Sequence, residues 1–471
     1  MTWLDLIALT PFLILALGAA ALLLISAWRP AGTPLVVGGI VIALAAALVA
    51  GLLPSPVVEI SGLFDGGPYG RFFTILWSLT AAMVLMISHR YILERNFAAG
   101  EYVALILYAA TGMGLLSAAT SLIGLFLGLE SFTLALYILI AFQRQSEPAA
   151  EAGLKYLVLG ATATGFMTFG IGLIYTASGS FHFPEAFAAM ASAGHLRPWG
   201  MLGWVMLLIA IGFKVSLVPF HFWTPDVYQG ASAPVSGLLA TGSKGAVMAA
   251  LIGALAGGTG LLQELESLLW VLAVVTMLVG AISALPQTNL KRLLAYSSVV
   301  HMGTLLIGLI CQSANGLSAA IYYLVVYSIA SLGTFAVIAN LSDNSHEIQQ
   351  IDRLRGLGYV HPFRCGILAV LLLSLAGMPP TAGFMAKFAI FHAAIDAGYT
   401  SLALIGILAS LISFHFYLRV IIALFMVDDQ APACHPGTSL EQSVLLVCLS
   451  GILVLGLFPD LLFNLIGLIL P

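Results

Sequence analysis

Residues 213–244 read FKVSLVPFHFWTPDVYQGASAPVSGLLATGSK. Lys214 stands near the start of this apolar stretch, Pro219 follows five residues later, and Lys244 closes it. A proline inside a helix removes one hydrogen bond and clashes with the preceding turn. A charged side chain at the centre of a bilayer costs at least about 2.5 to 3.5 kcal/mol on insertion scales, so it marks function by default. The stretch therefore reads as a broken membrane helix carrying one lysine, followed by a second span carrying another.

The surrounding chain has the composition this reading requires. Of 471 residues, 61% are hydrophobic and 8% are charged, against roughly 25% charged in soluble domains. A helical span takes about 20 apolar residues. Windows of about 19 residues predict fourteen spans, near 4–27, 34–53, 71–90, 101–119, 121–143, 154–177, 200–222, 232–256, 267–285, 291–311, 316–341, 364–393, 400–427 and 441–468. The fold class is all-α and polytopic, a single membrane domain. The opening MTWLDL lacks a basic run and carries Asp5, which suits a retained first helix rather than a cleaved signal.

Arg29, Arg90, Arg95, Arg144, Lys291, Arg292, Arg353, Arg355 and Arg364 fall in or beside alternate loops, and the other loops hold little more than Arg71 and Arg197. The positive-inside rule then puts both termini on the outer side. With a net charge of −4 and no basic run, nucleic acid is not an expected partner. Cys311, Cys365, Cys434 and Cys448 are scattered without a C-x-x-C pair, so no metal or iron–sulfur site is expected in this chain.

The chain also matches itself without gaps at an offset of 167 residues. Glu130-Ser131 aligns with Ser297-Ser298, Gln145-Ser146 with Gln312-Ser313, and Tyr156-Leu157-Val158 with Tyr323-Leu324-Val325. Five spans separate equivalent points, an odd number, so the second copy runs through the membrane in the opposite sense, as in the inverted repeats of transporters. Chance similarity between two Leu/Ser-rich helices is the alternative. The repeats would cover 101–256 and 267–427, preceded by three helices in 1–100 and followed by one in 441–471.

Of the five lysines, Lys214, Lys244 and Lys387 lie well inside spans; Lys155 is placed at the inner end of the sixth span and Lys291 in a basic inner loop. Glu130 is the one acidic residue near the middle of a span. Burial disfavours an ammonium while a nearby carboxylate favours it, so a lysine between those influences changes protonation when its partner moves. Static ion pairs, or snorkelling in the case of Lys155, are the competing explanations. His221, His301 and His415 also lie in spans and could pass protons, although a helix histidine commonly serves only as a hydrogen-bonding group. In LAGMPPTAGFMAKF, residues 375–388, Gly377, Pro379, Pro380 and Gly383 precede Lys387. Broken helices need water or polar neighbours for their freed backbone groups, so both breaks put a lysine beside possible water.

These stretches, with LPQTNLKRLLAYSSVVHMG at 285–303 and FLGLESFTLALYILIA at 126–141, resemble the antiporter-like membrane subunits of respiratory complex I. The TPDVYQG at 224–230, where siblings L and M usually carry an LPDA type of sequence, is most similar to the subunit N branch. The resemblance spans about residues 100–425 and implies fourteen helices, two inverted five-helix repeats with broken helices seven and twelve, and redox-driven proton translocation. It implies that Glu130 and Lys214 form the family's glutamate–lysine pair, with Lys244 the central lysine and Lys387 the outlet. From the residues themselves, Lys155, His221, His301 and Lys291 are secondary candidates for the proton path, and Pro219, Gly377, Pro379 and Pro380 are the expected helix breaks.

The resemblance further implies a proton-translocating NADH-quinone oxidoreductase in a bacterial inner membrane. FMN and iron–sulfur clusters would sit in partner subunits, quinone would be used by the complex, and membrane neighbours would be of the M, K, J and A types. A sodium/proton antiporter subunit, a subunit of a hydrogenase or other non-NADH dehydrogenase, and a passive scaffold are the alternatives.

Overall fold

The computed structural model describes residues 3–54, 59–256, 260–342, 347–426 and 437–470. Cys434, and residues 427 and 471 at the ends of two expected segments, lie outside the described residues. Cys311, Cys365 and Cys448 are buried.

A bilayer offers the backbone no hydrogen-bond partners, so a spanning segment must satisfy its own N–H and C=O groups, as a helix does. Thirteen helices among the described residues are long and apolar enough to cross a membrane. The twelfth expected span is divided into Pro362–Ala376 and Ala382–Asp396, which together complete a fourteenth crossing. The chain is a polytopic all-α membrane protein. The tenth and eleventh spans, Leu290–Ile310 and Ala314–Leu341, form the centre, with nearly every residue buried. Spans at the rim, such as Trp3–Trp28 and Thr400–Phe425, keep leucines such as Leu17 and Leu411 exposed, as a lipid-facing surface requires.

Side-chain caps set several helix starts. Ser146 and Ser313, aligned by the internal match, accept hydrogen bonds from the backbone N–H of Ala149 and Gly316, satisfying a donor that the first turn leaves free. A short ribbon pairs Glu59–Ile60 with Phe64–Asp65. Isolated bridges join Ser121 to His182 and Asn289 to Gln350. In the first, Leu122 N donates to Phe181 O and Phe183 N to Thr120 O; in the second, Leu290 N donates to Gln349 O and Ile351 N to Thr288 O. Each member of the second set lies 168 residues beyond its counterpart, since 290 − 122 = 168 and 351 − 183 = 168. Counting crossings places the two bridges at opposite ends of the bundle.

Three details differ from the sequence expectation. The seventh span does not run to 222: its helix, Arg197–Val215, stops at Ser216, whose φ of +65° is left-handed, and a second helix follows at Trp223–Gly230. The fourteenth span is also in two pieces, Ser439–Leu457 and Asp460–Ile469, parted at Pro459. The eighth, Ala233–Ala256, is continuous but widens into a π-turn over Leu239–Ser243, directly before Lys244. One-turn π segments are frequent at functional sites.

Candidate proton path

The break in the seventh span is closed by side chains rather than left open. Leu217 N donates to Gly212 O at 2.7 Å and Ser216 N to Phe213 O at 3.1 Å, ending the first helix. Phe213 O also accepts from the indole N–H of Trp223 at 2.8 Å, and the Thr224 hydroxyl donates to Ser216 Oγ at 2.6 Å. Val218 N donates to Thr276 Oγ1 on the ninth span at 3.0 Å. Lys214 therefore occupies the last turn of a half-helix, where the negative end of the helix dipole favours an ammonium.

Lys214 is fully buried, and its Nζ donates to Thr133 Oγ1 at 2.9 Å. Thr133 lies three residues after Glu130 on the fifth span, on the same face. The Glu130 carboxylate instead accepts from Thr164 Oγ1 on the sixth span at 2.7 Å. Glu130 and Lys214 are thus neighbours without a direct ion pair, each hydrogen-bonded to a threonine.

Lys244, also fully buried, donates from Nζ to Ser298 Oγ at 2.6 Å. Its ammonium sits 5.6 Å from the Trp223 ring and 5.2 Å from the Tyr228 ring, while Lys214 sits 5.5 Å from the Tyr156 ring. Tyr156 and Trp223 pack with ring centroids 4.7 Å apart, so an aromatic wall joins the two lysines. The hydroxyls of Tyr156, Tyr228 and Ser243 along it are buried without a protein hydrogen-bond partner. Buried polar atoms of this kind take water.

Beyond Lys244 the file continues through hydroxyls and a histidine. Ser297, beside Ser298, contacts Tyr417 through a short hydroxyl–hydroxyl hydrogen bond. The Tyr417 hydroxyl lies 3.0 Å from His301 Nε2, and the Tyr323 hydroxyl lies 2.7 Å from His301 Nδ1. A small cavity lined by His301, Tyr323, Tyr327, Ser374 and Lys387 then links the histidine to the twelfth span. There Lys387 Nζ donates to Ala376 O at 2.9 Å, the carbonyl that the helix break frees. Gly377 has φ +88°, and a Cβ on it would lie 2.8 Å from Lys387 Cδ; a Cβ on Gly383 would lie 1.7 Å from Ser374 O. Glycine at both positions lets the half-helices cross closely enough for the lysine to reach over.

A family model described as NADH:quinone oxidoreductase/Mrp antiporter, TM, matches residues 119–413, a range that contains Glu130 and all three buried lysines of this file. The chain belongs to that family. A curated relative from Syntrophotalea carbinolica, NADH-quinone oxidoreductase subunit N, is 44% identical over the whole of both chains. A chain in the structure of respiratory complex I from Thermus thermophilus is 32% identical and superposes with a TM-score of 0.81, covering 96% of this chain and 98% of that one. A chain of the Mrp complex from Dietzia sp. is 19% identical, with a TM-score of 0.79 over 99% of this chain and 97% of that one; that likeness is one of fold.

Within this family fold the remaining expected residues fall into place differently. Lys155 is half-exposed and held by Glu151 at 2.6 Å and Asp226 at 2.7 Å; Arg292 binds the other Asp226 oxygen at 2.6 Å. The four form a rim network rather than part of the buried file. His221 is buried beside the break with Nδ1 unpartnered. His415 is exposed on the thirteenth span. Lys291 corrects the expectation of a loop cation: it is fully buried, paired with Glu347 at 2.6 Å. The tenth helix begins at Leu290, capped by Asn289, which draws the lysine inward.

Glu347, Thr133, Thr164, Tyr417, the contact of Ser298 with Lys244 and the pairing of Arg90 with Glu441 do not stand out in the sequence. Arg90 Nε donates to Glu441 Oε1 at 2.9 Å, with both side chains buried, and Asn340 Nδ2 donates to Glu441 Oε2 at 2.8 Å. A signal for Glu441 exists: Thr438 and Glu441 form a capping box, the S/T-x-x-E pattern that opens helices.

Proposed function

We propose that this chain is an antiporter-like, proton-translocating subunit of an NADH-quinone oxidoreductase, in which quinone reduction elsewhere in the complex drives protons along Lys214, Lys244 and Lys387. The observation that carries this reading is the burial of three lysines in one bundle: Lys214 and Lys244 flank one aromatic wall, and Ser297, Tyr417, His301 and a small cavity lie between Lys244 and Lys387. The full-length match to a relative named subunit N supports the assignment to that complex.

The coupling is electrostatic. Two unit charges about 7 Å apart at an effective dielectric near 20 interact by about 2 kcal/mol, which changes a proton affinity by more than one pKa unit. Because Glu130 and Lys214 bind separate threonines, a small shift of the fifth helix alters their separation without first breaking a salt bridge. Lys214 then changes its hold on its proton, and Lys244 and Lys387 follow.

The rest of the assembly follows from this reading. Electron input, with FMN and iron–sulfur clusters, belongs to partner subunits, and membrane neighbours are of the M, K, J and A types. The membrane is the bacterial inner membrane, with the Arg95, Arg144 and Arg353 end inside and both termini outside, as the positive-inside rule favours. The paired bridges 168 residues apart at opposite ends of the bundle support two inverted five-helix repeats at 101–256 and 267–427.

The test is NADH-driven acidification of inverted membrane vesicles carrying Lys214→Ala, Lys387→Ala and the double variant, each checked for assembly. All three lose most of their pumping. Normal pumping by an assembled double variant overturns the proposal, and sodium-driven exchange without an electron donor would mark an exchanger subunit instead.

A further inference from the structure

The lysine file has no described opening to the basic end of the bundle, yet a polar cavity of about 360 Å³ lies there. Arg95, Gln143, Gln229, Gln349, Arg353 and Glu347 line it, and all come from loops or helix ends on that side. Glu347 forms its floor. The carboxylate is almost fully buried, receives Lys291 Nζ at 2.6 Å on Oε2, and on Oε1 accepts from Tyr91 Oη at 3.0 Å and Ala233 N at 2.8 Å.

Behind Glu347 the polar contacts run inward. Lys291 Nζ also donates to Ala231 O at 2.5 Å. The buried Ser236 hydroxyl contacts the same carbonyl at 3.5 Å and donates to Tyr228 O at 2.9 Å. Tyr228 lies along the remaining interval: its carbonyl accepts from Ser236, its ring is 5.2 Å from Lys244 Nζ, and its buried hydroxyl has no hydrogen-bond partner. Lys291 and Ser298, the partner of Lys244, stand two turns apart on one helix. Glu347 is therefore a described carboxylate that touches both this polar cavity and a buried lysine on the side of the central lysine.

We infer that Glu347 is the proton-loading carboxylate of this subunit, passing protons from the inner cavity to Lys244 through Lys291 and the hydroxyls of Ser236, Tyr228 and Ser298. The Lys291 ammonium releases a proton inward along these hydroxyls and intervening water to the neutral Lys244 amine, leaving a neutral Lys291 amine. Glu347 takes a proton from cavity water and gives it to that amine, which restores the carboxylate–ammonium pair. One proton has moved from the cavity to Lys244, and no other species is consumed. The inference rests on the proposed role of Lys244, and it adds the inlet that role requires.

The experiment compares Glu347→Gln, Glu347→Asp and the double variant Glu347→Gln/Lys291→Met in the assembled complex, with Lys244→Met beside them, by NADH-driven proton uptake into inverted vesicles. Glu347→Gln is expected to lower uptake at least fivefold, Glu347→Asp to restore most of it, and the double variant to remain low. Full uptake in the double variant would show that Glu347 only neutralises Lys291 and would overturn the inlet. Wild-type uptake in Glu347→Gln, with Lys244→Met defective, would overturn the inlet and leave the relay standing. Wild-type uptake in Lys244→Met would overturn the relay itself. If Glu347→Gln fails to assemble, the comparison of Glu347→Asp with the double variant decides by the same two outcomes.

Discussion

The ammonium of Lys387 lies 2.9 Å from the carbonyl oxygen of Ala376, eleven residues earlier and across the break in its own span. That oxygen would accept a helical hydrogen bond if Pro362–Ala376 ran on; the break hands it to a lysine. Lys214 reaches the same electrostatic situation from within its own helix, in the last turn before Ser216. Both breaks therefore set a lysine at the negative end of a half-helix, buried within the bundle.

Gly377→Ala tests this arrangement. The left-handed conformation costs a non-glycine residue about 1 to 2 kcal/mol, and the new methyl would press on Lys387 Cδ, 2.8 Å away. The expected outcome is a complex that assembles with reduced thermal stability and pumps several-fold less per NADH oxidised, measured by vesicle acidification against NADH consumption.

Glu130→Gln removes a charge and keeps an oxygen to accept from Thr164. Assembly is expected to remain normal while the ratio of protons moved to electrons transferred falls. Failure to insert or assemble would instead indicate a structural role for the carboxylate.

Glu441→Gln breaks a buried ion pair that ties the third span to the fourteenth. Breaking one side of a buried ion pair typically costs about 3 to 5 kcal/mol; Arg90 keeps Glu94 at 3.8 Å and the carbonyls of Ser342 and Ala339, so a loss of thermal stability and subunit content at or below the low end of that range is expected. Protons pumped per electron by the complexes that do assemble should stay near wild type, because the pair lies outside the lysine file.

Glu347 predicts a pH window. Burial alone would raise its carboxyl, but the Lys291 ammonium, and then Arg95, outweigh burial and hold it below the usual carboxylate range. A carboxyl depressed in the folded state stabilises the fold fully above its unfolded value of about 4.3 and loses that contribution as pH falls toward the folded value. The difference in melting temperature between wild type and Glu347→Gln should be flat from pH 8 to about pH 5.5 and shrink below about pH 4.

The membrane spans were legible because hydropathy reports directly on lipid. Lys214, Lys244 and Lys387 were legible for the same reason, since a lysine inside twenty apolar residues has no ordinary explanation. The hydroxyl groups packed around them were not. Thr133, Ser298 and Tyr417 are common in apolar helices, and only packing shows which of their hydroxyls meet a lysine or a histidine. Glu347 follows the polar run SDNSH at 342–346 and reads as a solvated loop charge, until the fold lays it on the start of the tenth helix. The π-turn at Leu239–Ser243 leaves no local mark, because its residues suit an α-helix equally well.

The most direct measurement is the number of protons moved per NADH oxidised by reconstituted complex carrying Lys244→Met, a change that keeps the length of the side chain and removes its proton. A buried file that conducts predicts a clear fall in that ratio while quinone reduction continues. An unchanged ratio in fully assembled complex would contradict it.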